Sequence, residues 1–324
     1  MSNPVSAPRI SATTIAEARA RIGPEFLDSR QIENIDLSRE IGTQLLCKIE
    51  SENPVGSFKG RGADSFVNSL AATTPALIAA SAGNFGLALA YAGKRRGIEV
   101  TIYAAETASP AKLERIRSTG AAVKLVGRDF DEAKAYARDD AVKMNAIFVE
   151  DGREAAITAG AGTMAMELTV SPQPIDTVLV PLGNGALLAG LGWWFRAHAP
   201  KTRMIGICAE GAPAMARSWR SHLMQSTANV NTIADGIAVR VPVPEALEDL
   251  QSVVDDIVLV SDEAMKRALK LVHKYLGLIC EPSSVAGVAA LMTHSSLAKG
   301  LVCTPITGGN ATWKQLQGWL AEIE

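Results

Sequence analysis

Short apolar runs alternate with longer amphipathic stretches along most of the chain. The runs are rich in β-branched residues and stop at glycine, proline or charge, which predicts strands at 45–49, 76–80, 100–104, 123–126, 147–149, 177–181, 204–208, 257–260 and 302–306. The stretches between them have helical spacing, at 57–69, 84–96, 110–119, 131–144, 161–169, 187–197 and 262–275. This alternation predicts parallel sheets covered by helices, in which ligands bind beyond the carboxyl ends of the strands.

Composition narrows the class of protein. The 324 residues carry 32 Lys and Arg against 34 Asp and Glu, so no bulk positive charge attracts nucleic acid or an anionic membrane. The length suggests about two domains. Four isolated cysteines and four histidines without metal spacing predict neither a metal site nor a disulfide framework. The N-terminus does not resemble a signal peptide, so we expect a soluble cytoplasmic protein.

A lysine follows the first predicted strand in the segment NPVGSFKGRG, residues 53–62. Pro54 and Gly56 favour a turn, and Ser57 is a candidate N-cap for the next helix. Lys59 then falls in the first helical turn, where the helix dipole disfavours its charge. A neutral amine is the form that attacks a carbonyl carbon, so Lys59 is a candidate nucleophile. The alternative is a solvated surface lysine.

Three further motifs also follow predicted strands. Residues 80–86 (ASAGNFG) open a helix whose free N–H groups suit a carboxylate, or form only a capped turn. Residues 180–190 (VPLGNGALLAG) suit a phosphate cradle better than a dinucleotide fingerprint or a P-loop. Thr307, in the segment TPITGGN, provides a neutral hydroxyl at the end of the last strand, or bonds only to its own turn.

Taken together and in this order, the four motifs resemble those of fold-type II pyridoxal-phosphate enzymes, most nearly the serine/threonine dehydratase (threonine ammonia-lyase) branch. The resemblance extends from about residue 45 to about residue 313. It implies an α/β fold of two interleaved open parallel-sheet lobes, with pyridoxal 5'-phosphate in the cleft between them. It also implies a large cofactor-binding domain of residues 1–49 and 150–324 and a small substrate-closing domain of residues 50–149.

The resemblance implies a role for each matching residue. Lys59 matches the lysine that is bonded to the cofactor, and Phe58 and Asn84 match neighbours of its ring. Thr307 matches the group that faces the pyridine nitrogen. The loop that binds the cofactor phosphate corresponds to Gly183, Asn184, Gly185, Ala186 and Leu187. The loop that holds the substrate carboxylate corresponds to Ser81, Ala82, Gly83, Asn84 and Phe85.

The neutral Thr307 bears on the reaction, because a carboxylate at this place would keep the ring nitrogen protonated and prolong the life of a carbanion. We therefore expect α,β-elimination of threonine, serine or a related β-substituted amino acid, giving a 2-oxo acid and ammonia. β- or γ-replacement is the alternative, and a non-catalytic relative of the fold is a third. Ala82 replaces the serine of related racemases, so we expect little racemisation. Phe85 stands where many dehydratases carry histidine, and relatives suggest a homo-oligomer, a dimer or a tetramer.

Overall fold

The computed structural model describes residues 8–323, which form an α/β fold. The strands in this part of the chain are β1 (Gln31–Glu33), β2 (Gln44–Ile49), β3 (Leu77–Ala80), β4 (Val100–Ala104), β5 (Ala122–Leu125), β6 (Ile147–Phe148), β7 (Thr177–Pro181), β8 (Arg203–Ala209), β9 (Asp256–Val260) and β10 (Leu301–Ile306).

Helices connect most of these strands. They are α1 (Ala12–Arg19), α2 (Ile35–Ile41), α3 (Lys59–Ser69), α4 (Asn84–Arg96), α5 (Pro110–Arg117), α6 (Phe130–Lys143), α7 (Ala155–Leu168), α8 (Ala186–His198), α9 (Ala214–Ser221), α10 (Pro244–Gln251), α11 (Asp262–Leu276), α12 (Ala286–Thr293) and α13 (Trp313–Ala321). Short 3₁₀ turns lie at Pro24–Phe26, Asp235–Ile237, Pro282–Val285 and Ser295–Leu297. Each helix of residues 8–323 is too short or too polar to cross a lipid bilayer.

The strands form two sheets. The larger sheet has the order β1-β2-β10-β7-β8-β9 and is parallel except for β1, which is antiparallel to β2. The smaller sheet has the order β5-β4-β3-β6 and is parallel throughout. The smaller sheet is formed by the part of the chain between β2 and β7. The larger sheet is formed by the segments that precede and follow this part in sequence. The predicted fold of two interleaved parallel-sheet lobes is confirmed.

Strand order brings distant segments to one edge of the larger sheet. β10 lies between β2 and β7, and its register on β2 pairs Leu301 with Gln44 and Ile306 with Ile49. Because the three strands are parallel, the segments that follow them leave from the same edge. Successive side chains of β10 point to opposite faces of the sheet. Val302 and Ile306 therefore pack in one apolar core, and Cys303 packs in the other.

A buried ionic network anchors α3 against β2. Arg61 is fully buried and donates to Glu50 Oε2 at 2.8 Å and to Glu167 Oε1 at 2.6 Å. Lys48 Nζ lies 2.6 Å from Glu167 Oε2. Burial acts to raise the pKa of Glu167, but the hydrogen bonds and charges of Arg61 and Lys48 lower it to about 2. The network therefore fixes the position of α3, which begins with Lys59, relative to β2.

The start of α3 differs from the prediction. The helix begins at Lys59 with Phe58 as N-cap residue, and the predicted cap by Ser57 is wrong. The Ser57 hydroxyl is buried and has no hydrogen-bond partner in the described residues. Its backbone instead forms a bridge with Gly308, and the Phe58 N–H donates to the Thr307 carbonyl at 3.0 Å. The segment before α3 is thus paired with the chain just beyond β10, and Ser57 does not take the N-cap position.

Candidate active site

A cavity of about 740 Å³ lies where the carboxyl edges of the two sheets face each other. It is lined by all of the residues that the sequence predicts for a site. They are Phe58, Lys59, Ser81, Ala82, Gly83, Asn84, Phe85, Gly183, Asn184, Gly185, Ala186, Leu187 and Thr307. Residues from four separate segments therefore meet in one cleft, because β2, β3, β7 and β10 all end there.

Lys59 extends into this cleft from the first position of α3. Its side chain is 17% exposed, and Nζ lies 2.5 Å from Asp151 Oδ2 and 4.5 Å from the centre of the Phe58 ring. The loop before it is fixed by Asn53, whose side chain donates to the Glu50 carbonyl at 2.8 Å. The helix dipole opposes a positive charge at this position, and the adjacent carboxylate of Asp151 offsets that effect.

The loop between β3 and α4 presents polar groups to the opposite side of the cleft. α4 begins at Asn84, and Gly83 is its N-cap without a side-chain cap, so N–H groups of the first turn remain free for an anion. The Asn84 amide donates to Glu281 Oε2 at 2.8 Å and accepts from Asn310 Nδ2 at 2.7 Å. Both ends of the amide are therefore held, and its orientation is set by the larger sheet.

The turn between β7 and α8 has the geometry of an anion cradle. Gly185 is the N-cap of α8 at a φ of +94°, a conformation that L side chains rarely adopt. A Cβ at Gly183 would lie 2.7 Å from the Gly236 carbonyl oxygen, so the loop has room only for glycine there. The first-turn N–H groups of α8 have no acceptor within the helix and are available for a phosphate.

Thr307 follows β10 and is nearly buried. Its Oγ1 donates to Ser284 Oγ at 3.2 Å, and Ser284 Oγ donates to the Gly308 carbonyl at 2.7 Å. These contacts are between uncharged groups, so Thr307 provides a neutral hydroxyl to the cleft. Glu281, on the same side, is buried with its side chain on Asn84, and burial raises its pKa.

Several charged residues of the cleft were not predicted from the sequence. Lys112 pairs with Asp235 across the cleft, and Arg240 pairs with Asp131. Glu150 pairs with two cations, Lys134 at 3.0 Å and Arg138 at 2.5 Å. Burial acts to raise the pKa of Glu150, but these two charges lower it. Asp151 and Glu150 come directly after a predicted strand, 147–149, and that position is the one signal that points to them.

Comparison with known proteins agrees with this geometry. A model of the family described as pyridoxal-phosphate dependent enzyme matches residues 29–308. The chain belongs to this family. The catabolic L-threonine dehydratase TdcB of Staphylococcus aureus (strain N315) is 31% identical over 316 residues, which cover 95% of this chain and 91% of that protein. The predicted family and its cofactor, pyridoxal phosphate, are confirmed.

Solved structures show the same fold. A threonine deaminase of Solanum lycopersicum, the processed form of isoform 2, is 26% identical with a TM-score of 0.89, covering 99% of this chain and 94% of that one. The serine racemase of maize has a TM-score of 0.90 at 24% identity, covering 97% of this chain and 98% of that one, and this likeness concerns the fold alone. The cleft fits the family's cofactor, because it combines a lysine amine, a glycine cradle and a neutral hydroxyl.

Proposed function

We propose that this chain catalyses α,β-elimination of threonine, serine or a related β-substituted amino acid, giving a 2-oxo acid and ammonia. The observation that carries the proposal is the position of Lys59 in one cleft with a free helix N-terminus, a glycine cradle and an uncharged Thr307. The names of the relatives, threonine dehydratase and threonine deaminase, support the same reaction.

The residues of the cleft divide into those for the cofactor and those for the substrate. Lys59 would bond to the cofactor aldehyde, and the backbone N–H groups of Gly183, Asn184, Gly185, Ala186 and Leu187 would hold its phosphate. Phe58 and Asn84 would border its ring, and Thr307 would face the ring nitrogen. Ser81, Ala82, Gly83, Asn84 and Phe85 would receive the substrate carboxylate. Pyridoxal phosphate, when bound, supplies the electron sink for the pair released at the substrate's Cα.

The chain's own groups then perform the acid–base work. Lys59, freed by the substrate amine, accepts the Cα proton. The first turn of α4 holds the carboxylate in place through its N–H groups. Thr307 carries no charge, so it would not keep the ring nitrogen of a bound cofactor protonated, which would favour loss of the Cβ substituent. β- or γ-replacement uses the same residues, and formation of a 2-oxo acid without an added nucleophile distinguishes elimination from it.

A product assay tests this proposal. Purified protein loaded with pyridoxal phosphate is given threonine, serine, 3-hydroxyaspartate and diaminopropionate, and 2-oxo acid and ammonia are measured. We expect one or more substrates to react, Lys59→Ala to abolish the reaction, and Lys94→Ala, on the exposed end of α4, to retain it. Borohydride reduction followed by peptide mass spectrometry should place the cofactor on Lys59. A tag on another lysine, or no 2-oxo acid from any substrate, contradicts the proposal.

We also propose that the two sheets correspond to two domains, residues 1–49 with 150–324 and residues 50–149. The strands of the smaller sheet lie between Leu77 and Phe148, which supports this division.

A homo-oligomer, a dimer or a tetramer, is supported by the exposed apolar side chains Leu223 and Met224, and light scattering tests it. A cytoplasmic location is supported by four buried cysteines, all of them unpaired; fractionation of cells tests it.

A further inference from the structure

Asp151 is a buried carboxylate in contact with the amine of Lys59. The residue is 7% exposed, and it follows β6 at the carboxyl edge of the smaller sheet. Its Oδ2 lies 2.5 Å from Lys59 Nζ, while its Oδ1 is buried without a hydrogen-bond partner in the described residues. The Lys59 amine is thus the partner that compensates the burial of this charge.

The other charged side chains that line the cleft have their own partners. Glu150 binds Lys134 and Arg138, Asp131 binds Arg240, Asp235 binds Lys112, and Glu281 accepts from Asn84. Asp129 caps α6 by accepting from the Glu132 N–H. Among the carboxylates that line the cleft, Asp151 is therefore the one that pairs with Lys59. Glu150, the preceding residue in the chain, pairs with other cations.

The backbone around Asp151 is fixed against the glycine cradle. Gly152 has a φ of +86°, and a Cβ there would lie 2.4 Å from the Asn184 carbonyl oxygen. The turn that carries Asp151 therefore packs directly on the loop between β7 and α8. The backbone position of Asp151 is therefore set by the contact between this turn and that loop.

We propose that Asp151 is a positioning residue for Lys59, which holds the amine in the cleft and stabilises its protonated form during elimination. This inference rests on the proposed function. The Lys59 amine accepts the Cα proton, and the C–H electron pair passes to the electron sink. The resulting ammonium is paired with Asp151 until the Cβ–O bond breaks. The bonding pair then leaves with oxygen, Lys59 returns its proton to that oxygen, and water departs.

The test measures the reactivity of Lys59 without any turnover. The full-length chain, freed of its cofactor, is acylated with acetic anhydride over a series of pH values, and the modified peptides are quantified by mass spectrometry. Neutral amines react and ammonium groups do not. We expect Lys59 of Asp151→Asn to be acylated faster than Lys59 of the wild type at the same pH, because its amine has lost the adjacent opposite charge. Asp151→Glu should restore most of the difference.

Two controls distinguish a change in the reactivity of Lys59 from a general change in the fold or its stability. Asp140→Asn removes a carboxylate of α6 outside the cleft and should leave the Lys59 profile in place. Lys48 is fully buried, so its acylation reports unfolding of any variant. Should Asp151→Asn label at Lys48, Asp151→Ser provides the same comparison. Coincident Lys59 profiles for the wild type and a folded Asp151 variant would overturn the proposal.

Turnover provides a second readout. In the loaded enzyme we expect Asp151→Asn to lower kcat at least about tenfold with little change in KM, and Asp151→Glu to recover part of the loss. The two proposals fail separately. A shifted Lys59 profile in a protein that forms no 2-oxo acid contradicts the proposed function alone. Full elimination activity in Asp151→Asn contradicts the role of Asp151 alone.

Discussion

The side-chain amide of Asn84 donates a 2.8 Å hydrogen bond to the buried carboxylate of Glu281, and this bond joins the first turn of α4 to the larger sheet across the cleft. Asn84 is a predicted neighbour of the cofactor ring, so its orientation depends on a residue that the sequence did not assign. Asn310 holds the other end of the amide at 2.7 Å. The site is therefore built by contacts between the two lobes as much as by the loops themselves.

Glu281→Gln should change how stability depends on pH. Burial raises the pKa of Glu281 above its ordinary value of 4.5, so the native protein holds this proton more tightly than the unfolded chain. Stability of the wild type therefore falls as pH rises from 4.5 through the raised value, because the carboxylate must then ionise in a buried position. Glutamine avoids this loss, and its side-chain oxygen can still accept from Asn84.

Urea unfolding of the cofactor-free chain between pH 4.5 and pH 8 measures this effect. The stability difference between Glu281→Gln and the wild type should increase in favour of the variant as pH rises. Glu263→Gln, on the exposed surface of α11, is the matched control. A difference that is constant with pH means that Glu281 titrates as it does in the unfolded chain.

Ser57→Ala should leave stability unchanged within about 0.5 kcal/mol or increase it, because the buried hydroxyl has no hydrogen-bond partner among residues 8–323. A capping serine would instead lose about 1 kcal/mol on this substitution. Ser261→Ala is the comparison, since its hydroxyl accepts from the Ala264 N–H at the start of α11. Equal losses in the two variants would restore Ser57 as a cap.

The elements that could be predicted are those with a local signal. β4 and β7 have the predicted bounds, because each is a short β-branched run that ends at a turn. β1 was missed, since its three residues are mostly exposed and form no apolar run. α12 was also missed, because Ala286–Thr293 is apolar almost throughout and has no polar face to show a helical period.

The candidate site, like the elements of the fold, could be predicted only where the sequence carries a local signal. The positions of Lys59, Asn84 and Thr307 in the cleft could be predicted because each follows a strand in a motif of recognisable order. Asp151 also follows a strand, but its contact with Lys59 spans 92 residues of sequence and crosses from one sheet to the other. Such a contact depends on how the strand ends are ordered in space, and a pattern along the chain does not record that order. The bridge between Ser57 and Gly308, just beyond β10, is likewise a contact between residues that are distant in sequence.

Thr307→Asp should change the course of the reaction. A carboxylate that faces the ring nitrogen keeps it protonated, which lengthens the life of charge at Cα and favours transamination over loss of the Cβ substituent. We expect slower release of ammonia, by about tenfold or more, with accumulation of the aminated cofactor, which retains the substrate nitrogen. Thr307→Ser retains a neutral hydroxyl and should keep elimination dominant. Chromatography of the released cofactor measures the partition, and an unchanged product ratio in Thr307→Asp would remove Thr307 from its assigned place.

Glu167→Gln should make the protein less stable at neutral pH and alter its sensitivity to acid. Arg61 and Lys48 lower the pKa of Glu167 to about 2, against an ordinary value of 4.5. The native chain therefore binds this proton less readily than the unfolded chain, and the carboxylate contributes roughly 3 kcal/mol of stability above pH 4.5. That contribution is lost as pH falls from 4.5 toward 2. Glutamine lacks it at every pH and leaves two buried cations short of a counter-charge.

Urea unfolding at pH 7, 5 and 3.5 tests this account of the buried network. The wild type should exceed Glu167→Gln by the full amount at pH 7 and pH 5, and the two should approach each other at pH 3.5. Glu17→Gln, in an exposed pair with Arg21, should follow the wild type throughout. Because the network holds α3 on β2, Glu167→Gln should also loosen Lys59 and slow elimination at pH 7. A stable variant with full activity would mean that α3 is held by its apolar contacts alone.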